Sequence, residues 1–139
     1  MKKLFLTLQI IGFVLLLSTV ACAQTKKKFT GVVSNGMKGD KVSFTLSADG
    51  KWVEAFTFSG YWRCDGSLEQ ITIGPEKKIA VKNGKISGIV VDPENGGATA
   101  WRFDVQGSIA GKKASGTFRM NINALKCDTY VLKWTATTK

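Results

Sequence analysis

Two cysteines and the charged residues beside them are the first place in this chain to look for chemistry. Cys64 stands between Arg63 and Asp65, and Cys127 between Lys126 and Asp128. If the two thiols are bridged, their Cα atoms lie about 5.5 Å apart, and Asp65 and Asp128 become near neighbours. A close pair of carboxylates is the minimum equipment for acid/base catalysis. The commoner use of such residues is a turn rim of compensating surface charges, which contributes little, and that is the expectation adopted. No histidine occurs anywhere in the chain. That removes Ser-His-Asp triads, Cys-His dyads, and His-bound zinc or haem. There is no Cys-x-x-Cys motif, phosphate-cradling glycine loop or Gly-x-Ser-x-Gly elbow. The acidic loop Asp92 to Gly97 lacks the length and the bidentate Glu of an EF-hand. No metal, no cofactor and no catalytic residue is expected, so the chain reads as a non-enzyme.

Binding is the other chemistry to weigh. Trp52, Trp62, Trp101 and Trp134 each sit in phase with other large apolar residues, which favours core packing over ligand stacking. Tyr61-Trp62-Arg63 is the best candidate binding surface, because successive strand residues face opposite ways and at least one of the three must point outward. Lysines fall in turns and at strand ends, for example Lys77 and Lys78, Lys82 and Lys85, Lys112 and Lys113. Such placement deters edge-to-edge aggregation. It also gives a positive surface that attracts anionic polysaccharide, an envelope component or an acidic secreted protein.

The elements that must position these residues begin after an address. Met1-Lys2-Lys3 is a short positive stretch, and Leu4 to Val20 is almost wholly apolar. Ala21-Cys22-Ala23 then supplies an Ala-x-Ala cleavage site before Gln24, so residues 1–23 read as a secretory signal peptide. Cleavage before Cys22 would instead leave a lipid-bearing N-terminus and tie the protein to a membrane; Thr19 stands where such signals want Leu. Export places the mature chain in the periplasm or outside the cell, away from the cell's nucleic acids, and no nucleic-acid partner is expected. In that oxidising setting Cys64 and Cys127 are most simply a disulfide. The full chain carries a formal charge of +10, of which two units belong to the leader lysines.

Residues 24–28 read as a basic, flexible N-terminus and 29–136 as a single all-β domain of 9–10 short strands. No 3.6-residue apolar repeat is sustained; short alternating runs end in turn signals. The runs are 29–33, 41–46, 52–63, 70–73, 78–82, 85–91, 99–109, 114–121 and 129–136. Asp49-Gly50 and Asn83-Gly84 are hairpin signals. Gly107 and Gly116 lie beside apolar strand residues, as a bulge or sharp bend requires. This spacing predicts an antiparallel sandwich or barrel.

Phe29-Thr30-Gly31, Val42 to Leu46, the single Cys64, Ala114 to Phe118, and Cys127 followed by Trp134-Thr135-Ala136 resemble a group of exported bacterial β-domains of unknown function. The resemblance implies an all-β domain with a cysteine pair and implies no activity. The expected function is therefore an exported, non-catalytic binding domain. The alternatives are a secreted inhibitor of a hydrolase, such as a lysozyme or protease, and a small-ligand-binding barrel.

Overall fold

Alternating side chains make strands with one apolar face, and here that face is large enough to demand curling. The computed structural model describes residues 24–139; the expected leader, its cleavage site and Cys22 lie outside the described residues. Among the described residues ten strands form one antiparallel sheet. They are β1 Lys27–Val33, β2 Lys41–Leu46, β3 Trp52–Cys64, β4 Ser67–Ile73, β5 Ile79–Lys82, β6 Lys85–Asp92, β7 Trp101–Ala110, β8 Lys113–Ile122, β9 Cys127–Asp128 and β10 Leu132–Thr137. A 3₁₀ turn, Asn123–Leu125, precedes β9.

The pairings return to their start. They run from β1 through β2, β3, β5, β6, β7 and β8 to β10, which closes on β1. One sheet rolled on itself, rather than two stacked sheets, buries the apolar face. The ring is not a barrel. β3 meets β5 only at Trp52–Ala80 and Val53–Ile79. Further along, the same edge of β3 is taken by β4, and among the described residues no pairing joins β4 to β6.

The interior is filled with side chains. Phe29 stacks on Phe44 at 4.9 Å between ring centroids, and Phe44 meets Trp134 edge-on at 5.8 Å. Phe118 packs against both Phe56 and Phe58 at 5.3 Å. Towards the disulfide end Trp62 stacks on Trp101 at 5.3 Å, and Trp101 lies parallel to Phe103. Burying each such ring contributes about 1.5–3 kcal/mol.

Four local expectations are corrected. β1 starts at Lys27, so Lys27 and Lys28 belong to the ladder, opposite Leu46 and Thr45, and only 24–26 precede it. β4 starts at Ser67, directly after the Asp65-Gly66 turn; both turn residues have positive φ (47° and 84°), as the tightest hairpin loop requires. The expected last strand, 129–136, starts only at Leu132: residues 129–131 belong to no strand, Tyr130 has a positive φ (55°), and the short β9 precedes them. Trp52 is not in phase with Phe56, Phe58 and Trp62. A bulge at Ala55 (φ 48°) inserts one residue opposite β2, so Val53 turns inward and Trp52 is 37% exposed beneath Lys78.

Candidate functional site

The upper half of β3 is the floor of a cleft. Tyr61 and Arg63 face outward on it, with Leu68 of β4 beside them; Asn35, Gly36 and Met37 of the β1–β2 loop form one wall and Asp128 to Leu132 the other. The cleft encloses about 290 Å³. Of the predicted trio, Tyr61 and Arg63 line this surface with exposed atoms, while Trp62 between them is 5% exposed and committed to the Trp101 stack. Strand alternation put the two outer members on one face and the tryptophan on the other.

Cys64 and Cys127 are disulfide-bonded across directly paired positions of β3 and β9. The bridge sits at the end of the cleft and pins the short β9 strand to β3. Asp128 follows it, opposite Arg63 in the ladder. Its Oδ2 accepts from Arg119 Nη2 at 2.6 Å, and its Oδ1 from Arg119 Nε at 3.1 Å and from the Tyr130 N–H at 2.7 Å. The carboxylate holds the Arg119 guanidinium above its ordinary value, first through the hydrogen bond and then through its charge. Asp65 stands at the tip of the β3–β4 turn, exposed, its N–H directed to the Lys126 carbonyl. The two carboxylates share one end of the molecule, but Asp128 is held in a forked ion pair, as a positioning group is.

Residues that the sequence reading did not single out build the walls. Asp40 is 2% exposed; its Oδ2 accepts from the Met37 N–H at 2.8 Å and its Oδ1 from the Tyr61 N–H at 3.1 Å. β2 ends its pairing with β3 at Ser59, and β9 takes up the same edge at Arg63. The Asp40 carboxylate fills the gap at Tyr61, where neither strand reaches. Asn35 ties the two walls together: its amide donates to the Val131 carbonyl at 2.9 Å and its carbonyl accepts from the Lys133 N–H at 2.6 Å. The Thr129 hydroxyl, buried, accepts from the Met120 N–H at 2.9 Å. Tyr130 is thereby thrust outward, 62% exposed, beside Val131. Ser34-Asn35-Gly36 reads in the sequence as the end of a strand; that the Asn35 side chain bonds to β10 and that of Asp40 to β3 is not legible there.

The outer face adjoining the cleft carries hydroxyls and lysines. Across the ladders Lys113, Thr137, Thr30, Ser43 and Thr57 fall in one row, and Ser115, Thr135, Val32, Lys41, Ser59 and Thr72 in the next. Among the described residues no helix is long and apolar enough to cross a membrane. Compared with family models, with curated proteins and with solved structures, the chain matches none.

Proposed function

We propose that the mature chain is an exported, non-catalytic binding domain whose cleft takes a strand of anionic polysaccharide, such as an envelope component. One observation carries the reading. Of the charged side chains lining the cleft, Asp40 and Asp128 are consumed by internal donors, whereas Arg63 is engaged by no carboxylate among the described residues. The unspent groups are a guanidinium and two tyrosines, Tyr61 and Tyr130, continuous with the hydroxyl and lysine rows. Guanidinium recognises carboxylate or phosphate bidentately, and tyrosine offers a flat apolar surface with a polar tip. The disulfide is compatible with an oxidising compartment, in keeping with the leader and with the resemblance to exported bacterial β-domains. The aromatic filling of the ring favours a surface site over an interior one.

The test is titration calorimetry of the disulfide-intact protein with a uronate-rich polysaccharide and with a neutral glucan. The acidic polymer binds, its affinity falls with added salt, and Arg63→Gln weakens it by about tenfold, the worth of one charge-assisted hydrogen bond. Equal binding of both polymers, or of neither, overturns the proposal. The projecting Tyr130–Val131 pair favours a second reading, the hydrolase inhibitor. A lysozyme or protease inhibited by the wild type and not by Tyr130→Ser would establish that reading instead.

A further inference from the structure

β4 is a free sheet edge. Among the described residues it pairs with β3 alone, and Ser67 to Gln70 are exposed on both faces. The two-residue turn at Asp65-Gly66 fixes which backbone groups point where. Cys64 and Ser67 are a hydrogen-bonded pair, so by alternation Ser67, Glu69, Ile71 and Ile73 bond to β3. The N–H and C=O groups of Leu68, Gln70 and Thr72 therefore face away from β3.

Natural sheets guard such edges with lysine, proline or a bulge. The segment Ser-Leu-Glu-Gln-Ile-Thr-Ile has none of these and only one charge, Glu69, in a chain of +10 formal charge. Every other strand longer than β9 carries a lysine or arginine. From this we infer that β4 is the interface of a two-fold dimer, with β4 of a second copy added antiparallel along the free edge.

The register is set by symmetry. Centring the axis on Gln70 pairs Gln70 with itself, Leu68 with Thr72, and Glu69 with Ile71, so no like charges stand directly opposite each other. Three hydrogen-bonded pairs give about six main-chain hydrogen bonds. β4 holds no cation and a single carboxylate, Glu69, so it is the strand along which two copies of a chain of +10 formal charge repel least.

Sedimentation velocity of the exported, disulfide-intact protein tests the inference. A concentration-dependent dimer is expected. Gln70→Pro removes an N–H that points away from β3 and leaves the β3 ladder whole, so it raises the dimer dissociation constant by at least about tenfold, for two of the hydrogen bonds lost. Gln70→Ala keeps the N–H and keeps the dimer. Gln70→Cys, at the axis, cross-links two copies on oxidation, whereas Thr57→Cys on the outer face does not. Should Gln70→Pro misfold, Leu68→Lys with Thr72→Lys guards the edge without touching the backbone and must also give monomer. A wild type that stays monomeric at millimolar concentration, or a dimer indifferent to both sets of changes, overturns the inference. Polysaccharide binding through Arg63 is unaffected by Gln70→Pro, so the two ideas fail separately.

Discussion

Asp40 does with a side chain what a strand would otherwise do with its backbone. It accepts the Tyr61 N–H in the one register that neither β2 nor β9 covers, and a β-carbon at Gly36 or Gly60 would collide with its carboxylate. Asp40→Ala leaves the Tyr61 and Met37 N–H groups without their acceptor and is expected to cost about 2–3 kcal/mol in urea unfolding. Asp40→Asn keeps one acceptor oxygen and should cost less. If the two variants are equally stable, the carboxylate is not completing the ladder. Asp49 offers a second residue-scale check, through pH. Bonds from the Ser47 hydroxyl and then from the Lys51 N–H at 3.0 Å lower its pKa from the ordinary 3.8. A carboxyl whose folded pKa is depressed stabilises the fold fully above the unfolded value and loses that contribution as pH falls through the folded one. The wild type should therefore melt above Asp49→Asn at neutral pH, and the gap should close as the pH is taken below 3.8.

Among the elements, β3 carries the most, and its extent was legible almost to the residue. Its apolar spacing from Phe56 to Trp62 was legible, yet the bulge that puts Trp52 outside was not, because Ala55 is not a residue type that announces a positive φ. Ala55→Gly relieves that conformation and should raise stability by about 0.5–1 kcal/mol, with the Trp52 emission unchanged; a loss of stability would mean the bulge is not strained as described. β4 was half missed for a different reason. Ser67 to Gln70 are exposed on both faces, so no alternation marks them, and only the Asp65-Gly66 turn could have announced the hairpin. The cysteine pair was legible from the count and the expected export. Because it closes a loop of 63 residues, replacing both Cys64 and Cys127 by Ser should lower unfolding free energy by about 4 kcal/mol on the chain-entropy account, and should loosen β9 and the cleft wall before the rest of the ring, as hydrogen exchange at Asp128 to Tyr130 would register.

At the scale of the whole molecule, what lets one sheet close on itself is room at the centre, and that room comes from glycine. Gly107 and Gly116 face each other across β7 and β8, and Gly116 lies opposite Trp134 of β10. A β-carbon on Gly107 would come within 3.0 Å of Trp134 Cζ2 and 3.1 Å of its Cη2, and 2.7 Å from the Ser115 carbonyl. The sequence showed glycines beside apolar strand residues and suggested bends. What it could not show is that two of them, nine positions apart, form one seat for an indole that arrives from the end of the chain. The seat implies energetic coupling. Gly107→Ala should be severely destabilising, several kcal/mol, because both neighbours must give way. Trp134→Phe removes Cζ2 and Cη2 and leaves a void, at a cost of its own. In the double variant the new methyl enters space the indole has vacated, so the combined loss should fall short of the sum by about 1 kcal/mol or more. Additive losses in urea unfolding would mean that the carbonyl of Ser115, rather than the tryptophan, sets the limit at Gly107, and the ring would then be closed by backbone contact and not by the fit of its largest side chain.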